Sequence, residues 1–292
     1  MRRGPAGPDR REVVLGAVAL ACLGAGAAPP TVTELPFALG TTFVVAPAGA
    51  PAGAGPDRRY PLLVALHGRG EARKGPLRGG RGWPEDYALT AMIARFAAPP
   101  LTAADLGGAP STERLAALND GLARRPFGGL VVACPYVPDL EMYDDAALDA
   151  YGAFVTGELL PRLQREAPVW GTPATTGLDG VSLGGRVALH VGLSAPAAFG
   201  AVGGIQPAVR AEEGPRWAER AAAARRARPS LHLRLLTSDG DYFRAAVAAV
   251  SAAWTAAGVA HEHLVVPGGH DYAFNRGPGA AELLAFAHAS LR

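Results

Sequence analysis

Gly180, Ser182 and Gly184 stand in the spacing G-x-S-x-G within the stretch "LDGVSLGGRV". A serine hydroxyl becomes a useful nucleophile only when a base takes its proton, and imidazole is the side chain suited to that near pH 7. A G-x-S-x-G turn between a strand and a helix holds its serine in a strained backbone, with glycines where neighbouring backbone leaves no room. Here the run "TTGLDGV" approaches Ser182 as a strand and "LGGRVALHVGL" leaves as a helix. A helix that starts there also points backbone N–H groups at the site.

The base must follow. Of seven histidines, His270 alone sits in a late Gly-rich loop beyond a strand-like run, in "VVPGGHDYAF". His190 falls in the helix after the serine, and His261 and His263 open the last strand; these are read as structural or solvated. No Cys or Glu cluster joins them, so no metal and no other cofactor is assigned. The acid that orients the base comes from "LHLRLLTSDGDYF", which offers Asp239 and Asp241. Asp241 lies further beyond the strand end and is preferred, with the following Tyr242-Phe243 expected to bury it. Asp239 is the alternative, expected otherwise to cap the turn locally. The order Ser…Asp…His is the one found in α/β-hydrolases. An oxyanion hole needs two N–H donors. Leu183, the residue after the serine, supplies one. The loop "LHGRGE" supplies the other through Arg69, in an H-G-x-G element formed by His67, Gly68, Arg69 and Gly70.

The elements that must position these groups alternate. Strand-like runs occur at "TVTELPFAL", "TTFVVAP", "YPLLVALHG", "GGLVVACPYVP", "TTGLDGVS", "FGAVGGIQ", "LHLRLLTSDG" and "HEHLVVPGGH". The middle ones are short, apolar and closed by Gly, Pro or Asp, as suits strands buried on both faces of a parallel sheet. Helical stretches are expected at Pro84–Ala97, Thr112–Arg124, Glu141–Arg165, Gly185–Leu193, Pro215–Ala227, Tyr242–Ala257 and Ala280–Leu291. The alternation predicts an α/β fold with a mostly parallel central sheet flanked by helices. The first two strands have no helix between them and predict an antiparallel hairpin at the sheet edge, joined onward by the Gly/Pro-rich stretch 46–56.

The chain has 292 residues, 49% hydrophobic and 18% charged, with a net charge of +2. This suits one large α/β domain and argues against a nucleic-acid partner. The first residues are basic, "MRRGPAGPDRR", and the next are apolar, "VVLGAVALACLGAGAA". With the small residues Ala25-Gly26-Ala27 they predict an export signal over 1–27, leaving 28–292 as the hydrolase domain. The apolar run is too short for a stable membrane span. Arg10-Arg11 fits a twin-arginine route, and Cys22 offers a less favoured lipoprotein site. The export reading implies a periplasmic or secreted protein. Cys134 is then the sole cysteine and is read as a buried hydrophobe, not a nucleophile.

With these motifs in place, the chain resembles the α/β-hydrolase superfamily, and within it the secreted esterase group of feruloyl and acetyl-xylan esterases and polyhydroxybutyrate depolymerases. "LHGRGE", "GVSLGGRVAL", "TSDGDYF" and "PGGHDYAFN" carry the resemblance from about residue 60 to the C-terminus. It implies an α/β-hydrolase fold with an insertion after the third strand. It also implies a serine esterase acting through an acyl-enzyme on Ser182, with a small-molecule or polymer-derived ester as substrate. An acyltransferase with the same three residues, or a non-catalytic binding protein of the same fold, is the rival. The chain departs from the group by its long segment 71–127, read as a lid or as surface elaboration. Within it, Arg73, Lys74, Arg78 and Arg81 are expected to form a mobile solvated loop. Trp83 and Tyr87 either line an acyl pocket or anchor the insertion.

Overall fold

The computed structural model describes residues 28–50, 59–108, 110–141 and 143–292. The predicted export signal, with Arg10, Arg11 and Cys22, lies outside them, as does most of the connection after the second strand. All eight strand-like runs form one sheet: β1 (Thr31–Phe37), β2 (Gly40–Ala46), β3 (Leu62–Leu66), β4 (Val131–Cys134), β5 (Thr176–Gly180), β6 (Ala201–Ile205), β7 (His232–Ser238) and β8 (Glu262–Val266). Their order is β1-β2-β4-β3-β5-β6-β7-β8. β1 pairs antiparallel with β2, β2 antiparallel with β4, and β3 to β8 run parallel with their neighbours. The hairpin expected at the edge is there.

The helices are α1 (Arg69–Ala72), α2 (Leu89–Ala97), α3 (Thr112–Arg124), α4 (Asp145–Phe154), α5 (Leu160–Glu166), α6 (Leu183–Ser194), α7 (Gly214–Ala227), α8 (Arg244–Ala256), α9 (Tyr272–Phe274) and α10 (Ala280–Ser290). A π-helical turn, Val155–Leu159, joins α4 to α5 in one long helix. Strand side chains alternate between the faces. Leu62, Val64 and Leu66 of β3 pack in the core under α4 to α8, where Leu148, Leu163, Val187, Trp217 and Trp254 also lie. Leu63 and Ala65 turn to the opposite core with Met92, Leu118, Leu122 and Leu284 of α2, α3 and α10.

The long segment after β3 divides in two. Its later part, α2 and α3, belongs to the helix layer on the second face. Its earlier part, residues 69–88, lies beside the strand ends. One helix was expected over Pro84–Ala97; instead a π-helical turn, Gly82–Asp86, is separated from α2 by Ala88 in a left-handed conformation, φ 53°. Three of the four basic residues of this loop are held in ion pairs. Lys74 pairs with Asp86 at 2.8 Å, Arg73 with Asp139 at 3.3 Å, and Arg81 with Glu34 at 2.9 Å and Glu85 at 2.5 Å. Trp83 is buried and donates to the Leu66 carbonyl at 3.0 Å, and Tyr87 is buried beside it. Both anchor the segment.

Candidate active site

β3 leads to β4 on one side of the sheet and β5 leads to β6 on the other, so the chain reverses direction between β3 and β5. Open α/β sheets bind ligands beyond the carboxyl ends of their strands at such a point. The loops after β3, β5, β7 and β8 meet there.

The β5 loop carries Ser182, whose φ of 57° and ψ of −116° place a non-glycine residue in the left-handed half of backbone space. Strain of this kind persists only where the surroundings over-determine it. A Cβ on Gly180 would come within 2.5 Å of the Gly184 carbonyl oxygen, and one on Gly184 within 2.4 Å of the Leu66 oxygen. Both glycines of the motif are therefore steric requirements. The Ser182 N–H donates to Ile205 O at 2.9 Å, and the Ser182 carbonyl accepts from Arg186 and Ala208 N–H at 3.0 Å each. The turn is held from both sides.

His270 comes from the loop after β8. Its Nε2 lies 3.1 Å from Ser182 Oγ and its Nδ1 2.8 Å from Asp241 Oδ1. With Nδ1–H donating to the carboxylate, Nε2 is free to accept from the serine. Asp241 is buried, and its remaining acceptor capacity is taken by Thr237 Oγ1–H at 2.7 Å and the Phe243 N–H at 3.0 Å. The structure thus brings Ser182, His270 and Asp241 into one line. Asp239 stands apart from it, accepting from the Gly268 N–H at 2.9 Å. That bond ties the β7 loop to the β8 loop, in place of the local cap expected. Gly240 has a tighter reason than a bend: a Cβ there would come within 2.8 Å of Gly268 O. Tyr242 does not bury Asp241. Its ring is exposed and lies on the imidazole of His270, centroids 4.2 Å apart, while Phe243 meets it edge-on at 5.6 Å. Partial burial and the Asp241 charge raise the Tyr242 phenol above its ordinary range.

The loop after β3 closes the other side. A Cβ on Gly68 would stand 3.7 Å from Ser182 Cβ, so this backbone runs against the serine. Arg69 opens α1 and Leu183 opens α6, positions whose N–H groups have no intrahelical partner. The Arg69 side chain points elsewhere, to the Leu140 carbonyl at 2.8 Å and Asp139 at 2.7 Å. His67 pins this loop to the one after β4: Nδ1–H donates to Gly68 O at 2.9 Å, and Nε2 accepts from the Val137 N–H at 2.9 Å. Burial lowers its pKa to about 4, which keeps the ring neutral.

Three contributors were not seen in the sequence. Gln206, with φ 44°, donates through Nε2 to Ser238 Oγ at 2.7 Å and Gly269 O at 2.8 Å, holding the histidine loop. Glu71 is buried beside Gly68 and accepts from the hydroxyls of Tyr87 and Tyr272. Tyr272, two residues past His270, had no signal beyond that proximity. His190 is bonded to Asp149 at 2.7 Å and His261 to Ser251 at 2.8 Å, both remote in the fold from the line of three. Cys134 is buried on β4, and burial pushes its thiol up.

The family profile "Putative esterase" matches residues 142–276. No curated protein sequence matches the chain. Among solved structures, a ferulic acid esterase aligns over 90% of this chain and 99% of its own, with TM-score 0.62 and 16% identity. The S-formylglutathione hydrolase FrmB of Staphylococcus aureus aligns over 91% and 99%, with TM-score 0.56 and 12% identity. A ferulic acid esterase of Anaeromyces mucronatus aligns over 92% and 93%, with TM-score 0.57 and 16% identity. The chain has the α/β-hydrolase fold, and the segment similar to the esterase profile is the one that holds Ser182, Asp241 and His270.

Proposed function

We propose that this chain is a serine esterase that hydrolyses carboxylic esters through an acyl-enzyme on Ser182. The observation that carries the reading is the hydrogen-bonded line Ser182–His270–Asp241 at 3.1 and 2.8 Å, starting from a strained turn. Ser182 Oγ attacks the ester carbonyl while His270 Nε2 takes its proton. Asp241 holds the ring in the right tautomer and stabilises the imidazolium. The N–H groups of Arg69 and Leu183 receive the oxyanion. His270 then protonates the departing alcohol, and water activated by the same imidazole releases the acid and frees the serine.

Replacing Ser182 by Ala removes the nucleophile without touching the fold. We expect kcat for p-nitrophenyl acetate to fall by roughly 10³-fold or more, and labelling by a fluorophosphonate to vanish. A variant that keeps a tenth of the activity would overturn the assignment. Product analysis with an added alcohol distinguishes hydrolysis from acyl transfer, and transfer exceeding hydrolysis would replace the esterase reading. Residues 1–27 are proposed to direct export, supported by their basic-then-apolar order. The mature N-terminus at Ala28 in a periplasmic or secreted fraction is the expected result.

A further inference from the structure

Glu71 has less than 2% of its surface exposed, one residue beyond the Gly68-Arg69-Gly70 backbone. Burying a carboxylate is costly unless its oxygens are bonded. Its two oxygens go to two different loops. Oε2 accepts from Tyr87, whose hydroxyl in turn accepts the Gly68 N–H at 3.3 Å. Oε1 accepts from Tyr272 at 2.6 Å. Lys74 Nζ lies 3.6 Å from the same oxygen, held there by Asp86. Burial and the neighbouring Glu71 charge raise both phenols, so Tyr87 and Tyr272 remain donors at neutral pH. The seat is built closely: a Cβ on Gly82 would come within 2.7 Å of Glu71 Cγ, and one on Gly70 within 3.4 Å of the Tyr272 hydroxyl.

We propose that Glu71 is a positioning residue that ties the backbone facing Ser182, through Tyr87 and Gly68, to the loop that carries His270, through Tyr272. The two loops belong to different strand ends. Their separation sets the distance between oxyanion donors and base, and a single carboxylate spans it. This rests on the serine-esterase reading. A 1 Å misplacement of catalytic groups is enough to cost two orders of magnitude, so a link of this kind acts on the rate and not on ground-state binding.

The test compares wild type, Glu71→Gln and Tyr272→Phe, each checked for folding by its denaturant midpoint. Glu71→Gln keeps the shape but removes one acceptor. It is expected to lower kcat for p-nitrophenyl acetate about tenfold, with KM within about twofold. Affinity for an alkylboronic acid, which forms a tetrahedral adduct on the serine, should fall in the same ratio. Tyr272→Phe deletes one hydroxyl from a ring that reaches the surface and should give a smaller loss of the same kind. If Glu71→Gln does not fold, Tyr272→Phe and Tyr87→Phe decide alone. Folded variants with unchanged kcat and boronate affinity overturn the proposal. So does a rate loss matched by an equal rise in KM, which marks general disruption. Absence of fluorophosphonate labelling in wild type is a different outcome: it removes the esterase reading first, and this inference with it.

Discussion

Two aspartates stand two residues apart after β7, and their surroundings divide the work between them. Asp241 gives Oδ1 to the His270 ring and the Phe243 N–H and Oδ2 to the Thr237 hydroxyl, all inside the protein. Asp239 faces outward and bonds backbone at Gly268. Exchange of Asp241 for Asn offers the ring an amide, which favours the wrong imidazole tautomer. We expect kcat to fall by about 10²- to 10⁴-fold. Asp239→Asn keeps an oxygen for the Gly268 N–H and should cost less than about threefold, because no catalytic atom touches it. Reversed losses, measured side by side with p-nitrophenyl acetate, would place the acid at 239. Ser182 and His270 were legible because each sits in a motif with a fixed local context. Glu71 was not, because its meaning lies in Tyr87 and Tyr272, and the latter is distant in the chain. Tyr242 was misread because an apolar ring next to a buried acid suggests burial, whereas its ring stacks on the outer side of His270.

At the scale of elements, the hydrophobic pattern located every strand and most helix ends within a few residues. It failed at Pro84–Ala97, where Tyr87 and Trp83 turn inward and Ala88 takes a left-handed backbone that no local composition announces. Loop-to-loop pins were equally invisible, and His67 is the clearest of them. It joins the β3 loop to the β4 loop only while Nε2 is an acceptor. Its pKa is about 4 in the fold against about 6.5 unfolded. The unfolded chain therefore binds this proton first, so the contribution to stability is complete above about pH 6.5 and is lost as pH falls through about 4. The lowering corresponds to roughly 3 kcal/mol. His67→Gln, whose amide can both donate and accept, should flatten this part of the stability–pH curve between pH 6.5 and 4 relative to wild type. Urea midpoints across that window decide it, and identical slopes would show that other groups carry the acid sensitivity.

Across the whole molecule, the parallel sheet was legible from its apolar strands, while the charges inside it were not. Asp179 of β5 and Arg234 of β7 are fully buried and meet at 2.5 Å across β6. Gly203 lies between them, where a Cβ would stand 2.2 Å from Asp179 Oδ2. The second Asp179 oxygen accepts the Gly180 N–H at 2.7 Å. Arg234 also donates to the Glu282 carbonyl at 2.5 Å, and the Glu282 carboxylate binds Arg114 Nε of α3 at 2.6 Å. This chain of charges runs from the strand that delivers Ser182, past the strand that delivers Asp241, out to α10 and α3. Single positions in "LDG" and "LRLL" cannot reveal it, since the partners come from separate strands. Its energetics are asymmetric. Removing one partner leaves the other charge buried and uncompensated, at a cost of about 3–5 kcal/mol, whereas replacing both with apolar groups is often neutral or better. Asp179→Leu should therefore lower the denaturant midpoint far more than Asp179→Leu with Arg234→Met. The double variant should also regain much of the turnover of p-nitrophenyl acetate, because the pair braces the strands without touching Ser182, His270 or Asp241. If the double variant is as unstable as the single one, the pair is specifying the alignment of β5 and β7 and not merely neutralising its own charges.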